Sequence, residues 1–94
     1  MTVADTIRRK LTAALAPSHL EVIDDSARHA GHAGARPGGE THFNVVVVAQ
    51  RFAGMSRVER QRLVYGLLQE ELAGPVHALA LVTRTAEEQA ALGR

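Results

Sequence analysis

Two imidazoles three residues apart, His29 and His32, stand in a stretch that also carries Gly31, Gly34, Pro37, Gly38 and Gly39. A third, His77, stands far downstream in Pro75-Val76-His77-Ala78-Leu79. The chain has no cysteine. A metal or cluster bound here would be met through nitrogen or carboxylate, and the histidines are the candidates. Imidazole ligates only in its neutral form, so such binding should weaken as pH falls through the ~6.5 region. Three-residue spacing in an irregular segment is a weak metal signal, and ordinary solvated loop histidines look the same. His77 shares strand parity with Leu79 and Leu81, so it also reads as a histidine at the edge of the core. His42, between Thr41 and Phe43, reads as structural, and His19 as surface.

These residues need elements to hold them. Thr2-Val3-Ala4-Asp5 is a capping box with a carboxylate at its third helical position. Val3, Ile7, Leu11 and Leu15 recur every four residues and, with Ala14, make one apolar stripe, which predicts a helix over 3–16 ended by Pro17. A short strand follows over 19–25, with Leu20 and Val22 on one face and Glu21 and Ile23 on the other. The segment from Asp24 to Phe43 is longer than the ~12–15 residues usual for a structureless connection, and such loops are commonly functional. Residues 41–50, with Val45-Val46-Val47-Val48, predict a central strand. Two strands joined without a helix are most simply antiparallel.

Arg51 to Met55 is a connector, and Ser56-Arg57-Val58-Glu59 is a full capping box opening the strongest helix. Val58, Leu63, Val64, Leu67, Leu68 and Leu72 form its expected buried stripe. Gly74, as a left-handed cap, and Pro75 should stop it. A third strand is expected over 76–83, and Thr85-Ala86-Glu87-Glu88 caps a short final helix. The order α-β-β-α-β-α, with a helical crossover between the second and third strands, predicts a single α/β (α+β) domain over residues 1–94. Its sheet should be three-stranded and mixed, with helices on one face and the other face largely open.

Composition narrows the function. Ninety-four residues with 46% apolar content support one modest core. The formal net charge of +1 is not that of a polycation, but Arg51, Arg57, Arg60 and Arg62 lie in a window whose only acid is Glu59. That window is either a basic patch or a solvated helix face. Phe43, Phe52 and Tyr65 are the only aromatics, too few for a base-stacking platform. The absence of cysteine excludes disulfides and thiol catalysis. There is no metalloprotease helix motif, phosphate-binding loop or nucleophile elbow, so an enzyme is not expected. Neither a membrane span nor a signal core is expected, and the default location is cytoplasmic.

The chain resembles the BolA family over essentially its full length. The resemblance is carried by Asp25-Ser26, Gly39-Glu40-Thr41-His42-Phe43, Phe52-Ala53-Gly54-Met55-Ser56, Arg60-Gln61-Arg62-Leu63-Val64-Tyr65, Glu71-Leu72 and Val76-His77-Ala78-Leu79. One departure is Gln61, where the family pattern has a histidine between two arginines. The resemblance implies a fold similar to the type II KH domain. It also implies a heterodimer with a monothiol glutaredoxin that shares a [2Fe–2S] cluster, with thiolates from the partner and glutathione. On that pattern His77 is one ligand and His29 the other, with His32 as the alternative to His29. No cluster is expected in the isolated chain, and a weak homodimer is open. Some BolA-like proteins are described as transcriptional regulators. A KH-like DNA contact through Arg51, Gly54, Arg57, Arg60 and Arg62 is therefore the alternative, although Gly54-Met55-Ser56-Arg57 lacks the second glycine of the backbone-clamping loop.

Overall fold

In a computed structural model, which describes residues 2–25 and 41–92, the chain runs α1 (Val3–Leu15), β1 (His19–Asp24) and β2 (His42–Val48). A 3-10 turn (Gln50–Phe52), α2 (Arg57–Leu67), α3 (Gln69–Ala73), β3 (Ala78–Arg84) and α4 (Ala86–Leu92) complete it. The strand order is β1-β2-β3. β1 pairs antiparallel with β2, setting Val22 opposite Val45, and β2 pairs parallel with β3, setting Val45 beside Leu81. The expected mixed sheet and element order are both present.

Alternation along β2 decides which way the sheet faces. Phe43, Val45 and Val47 are almost fully buried, while His42, Asn44 and Val46 are half-buried on the other face. The buried face packs against Ile7, Leu11 and Leu15 of α1 and against Val64 and Leu68, with Leu79 and Leu81 of β3 at its margin. Each such aliphatic side chain withdrawn from water contributes roughly 1.5–3 kcal/mol before the entropy of ordering it. Arg8 adds a polar tie, donating from Nη2 to the Val22 carbonyl at 3.0 Å and so fixing α1 on β1. On the opposite face Ile23 and Val82 remain exposed.

All three expected capping boxes form. The Thr2 hydroxyl accepts from Asp5 N–H, the Ser56 hydroxyl from Glu59 N–H, and the Thr85 hydroxyl from Glu88 N–H, and each acid accepts back from the cap's own N–H.

Other expectations need correction. Val58 is exposed rather than part of the buried stripe, because it stands six residues from Val64 and so lies off that face. Ala14 is exposed at the margin of the α1 stripe. The middle helix bends at Leu68, with φ −104° and ψ 21°, so α2 and α3 are separate segments. The bend follows Gly66, the weakest helix former in that turn, and it seats Leu68 in the core. Gly74 is not left-handed: it has φ −109° and ψ −112°. Lack of a side chain serves it differently, since a Cβ there would approach the Glu70 carbonyl to 3.3 Å. The left-handed cap belongs to Ala16, at φ 45°.

Candidate functional site

His77 lies one residue before β3, and its place is set by backbone. Its N–H donates to the Thr41 carbonyl at 2.7 Å, and the same carbonyl accepts from Ala78 N–H at 3.2 Å. Val76, almost fully buried, anchors the preceding residue in the core. The His77 side chain itself is exposed. It is therefore not a histidine packed at the core edge, despite sharing parity with the half-buried Leu79 and Leu81. The strand starts two residues later than the sequence suggests, because one carbonyl takes both N–H groups where the ladder begins.

Thr41 is also the residue at which the chain returns from the long segment. On the outgoing side Asp25 N–H donates to the His42 carbonyl at 2.7 Å. The two ends of segment 26–40 are thus fastened to each other, and the returning end is fastened to His77. His29 and His32 lie outside the described residues. His42 is half-buried on the open face of the sheet, in register with Ala78, which puts it on the opposite face from His77's parity. His19 sits at the far end of β1, exposed as its surface reading expects, with its Nε2 2.6 Å from Glu21 Oε2. Among the described residues no cluster of three histidines or carboxylates could hold a metal ion.

At the other end of β3 the arginines divide. Arg60 turns inward: its side chain is only 11% exposed and forms a two-pronged pair with Glu88, at 2.7 and 3.1 Å. Its Nε donates to the Met55 carbonyl at 3.1 Å, and its Cζ lies 5.7 Å from the centre of the Phe52 ring. Glu88 also caps α4 through Thr85. The Arg60 guanidinium first, and the Thr85 N–H second, lower its pKa to about 2. Arg57 and Arg62 point outward and are exposed, and Arg51 is exposed with Nη1 3.7 Å from Met55 Sδ. Gly54 takes φ +80°, which disfavours other residues in that turn. A cleft of about 390 Å³ lies here, lined by Met55, Arg57, Arg60, Gln61, Val82 and Glu88 among others. The five positions of the basic reading do gather around one connector and helix start. Arg60, however, is committed to a carboxylate that lies 28 residues away in sequence, a partner no local pattern announces.

Comparison with known proteins places the chain in a family. A family model described as "BolA-like protein" matches residues 11–88. The chain belongs to the BolA family. It is 52% identical over 83 residues to human BolA-like protein 1, covering 88% of this chain and 58% of that protein. It is 47% identical over 88 residues to the Escherichia coli K12 protein named DNA-binding transcriptional regulator BolA, covering 94% of this chain and 80% of that one. The chain therefore spans less than two thirds of the mammalian relative. Among solved structures, BolA1 from Arabidopsis thaliana superposes with a TM-score of 0.84 at 47% identity, covering 94% of this chain and 96% of that one. The α+β architecture is that of these BolA proteins.

Proposed function

We propose that this BolA-family chain is a non-enzymatic partner that shares a [2Fe–2S] cluster with a monothiol glutaredoxin and acts in cluster handling or iron-status regulation. His77 supplies one ligand, and His29, or His32 in its place, supplies the other. The observation that carries this reading is the backbone link between His77 and the returning end of the histidine-bearing segment, through Thr41. An exposed imidazole on a fixed backbone, beside the root of a segment carrying two more, suits a cluster brought by another protein.

The donor set fits a shared group and not a resident one. With no cysteine in the chain, the thiolates must come from the partner and glutathione. Replacing two thiolates on one iron by imidazoles raises the reduction potential of such a cluster. This chain's own part is to present neutral nitrogen at a fixed place and to let the partner's sulfur complete the set.

The test is to mix the protein with a cluster-loaded monothiol glutaredoxin and record absorption and circular dichroism. His77→Ala should alter the visible bands, and His29→Ala against His32→Ala should identify the second ligand. Parent-like spectra from His77→Ala would remove the assignment. EPR of the reduced complex should show nitrogen hyperfine coupling.

A second reading has its own support in the outward Arg57 and Arg62 beside the capped start of α2. They could meet the phosphates of duplex DNA, the ligand class in the name of the E. coli relative. Few outward cations predict a shallow salt dependence, close to one counterion per contact. A titration at low salt in which nothing binds would eliminate it.

A further inference from the structure

A short, lightly anchored helix lies just before His77. Helix α3 has five residues, no side-chain cap at its start and no buried residue. It is attached through Leu72, which packs against the core, and through a bridge to α1. In that bridge the Lys10 ammonium lies 3.0 and 2.9 Å from the two carboxylate oxygens of Glu71 and 2.8 Å from Glu70 Oε1. The two acids are not equivalent. The Glu70 side chain is 85% exposed, so solvent screens its pair, while the Glu71 side chain is only 11% exposed. Glu71 is also where the chain turns toward His77. Its carbonyl accepts from Gly74 N–H at 3.2 Å and from Val76 N–H at 3.0 Å. The residue whose side chain Lys10 holds is the residue whose backbone fixes Val76, and His77 follows directly.

We infer that Lys10 is a positioning residue for His77, acting through Glu71 and the turn that closes α3. The functional consequence rests on the reading of His77 as a cluster ligand; the positioning itself does not. Beside the apolar packing of Val76 and Leu72, two polar fastenings thus hold the histidine: Thr41 on the sheet side and the Lys10–Glu71 bridge on the helix side. Losing the bridge lets the turn open and leaves the Thr41 bond to hold the histidine without that support, so the Val76 and His77 amides are both released more often. A cluster ligand would then be presented from a loosened backbone.

Amide hydrogen exchange on the full chain tests this directly. Lys10→Met should speed exchange at Val76 and His77 roughly tenfold while Val45 and Val47 in the central strand stay at the parent rate. Lys10→Arg should restore the parent rate, and Glu70→Gln should leave it unchanged. In the mixed complex with cluster-loaded glutaredoxin, Lys10→Met should weaken the visible circular dichroism and Lys10→Arg should recover it. Unchanged exchange at Val76 and His77 in Lys10→Met overturns the inference. If Lys10→Met speeds exchange everywhere, Glu71→Gln decides: a selective rise at Val76 and His77 supports the inference, and parent-like rates there overturn it. If His77→Ala leaves the complex's spectrum intact, the ligand reading fails while the exchange result still stands.

Discussion

The two ends of β3 are built by opposite means. At the His77 end the fastening is backbone to backbone, Asp25 to His42 and His77 to Thr41, and the imidazole is left exposed. At the Thr83 end the fastening is made by side chains: Arg60 grips Glu88 and the Met55 carbonyl, and Glu88 grips the backbone at the start of α4. The first arrangement fixes a residue's place without engaging its side chain through those bonds, which is what a ligand for a visiting group requires. The second spends the side chains on the fold. Arginine within a patch read as basic is therefore a weaker indication of binding than histidine on a pinned backbone.

The largest expected effect follows from that contrast. His77→Ala should change the spectrum of the mixed glutaredoxin complex and leave the melting temperature of the free protein almost unmoved, since exposed substitutions usually stay within about 0.5 kcal/mol. Arg60→Ala should do the reverse. It removes hydrogen bonds to two elements and strands part of a cap, so a loss of roughly 1–3 kcal/mol is expected, with little change in the complex's spectrum. Thermal melts of both variants, set beside their spectra, check the pair. If Arg60→Ala melts like the parent, the clamp is ornamental and the outward reading of the arginines regains ground.

Acid should separate the ends again. The Glu88 carboxylate has a folded-state pKa of about 2 against an ordinary 4.5. A depressed pKa means its contribution is fully present above about 4.5 and is lost as pH falls toward 2. Stability should therefore drop with acidification over that window, and Glu88→Gln should flatten the part of the slope it causes. Ligation by imidazole needs the neutral ring, so the spectrum of the mixed complex should fade through the ~6.5 region general to imidazole ligands, well before the clamp fails. Denaturant melts and complex spectra over one pH series read both. If the two signals decay together, the ends are not independent.

How much of this was legible in the sequence depended on range. The capping boxes were, because each closes within three residues and needs only a hydroxyl and an acid. The sheet order was, because Val45 to Val48 can be nothing but a central strand and a helix must carry the chain back for a parallel third strand. Val58 was misassigned although its six-residue offset from Val64 already placed it with Arg62 and Tyr65 on the outer face. Arg60's partner was not legible, since Glu88 lies on another helix and only the folded sheet brings them together. The same limit hid Lys10 and Glu71, which lie 61 residues apart. Of the site, His77 was readable as a candidate, but its tie to Thr41 required the register of β2 against β3.

The smallest effect concerns the helix between the two ends. Gly66 lies in the last turn of α2, and a Cβ there would meet nothing within 4 Å. No packing within the described chain asks for glycine, and a glycine in a helix costs about 0.8–1.0 kcal/mol relative to alanine. Gly66→Ala should therefore stabilise the protein by somewhat less than that, given its place near the helix end, and should raise the melting temperature by a few degrees. Its use lies in what else moves. A stiffer α2 should leave the Arg60 clamp untouched, since that clamp is made in the first turn. If exchange at His77 also stays at the parent rate, the bend at Leu68 insulates α3 from α2, and the histidine answers to the ties of α3 itself, Leu72 and the Lys10 bridge. If His77 slows, the rigidity of α2 passes through Leu68 into that residue, and the two ends of β3 are mechanically one.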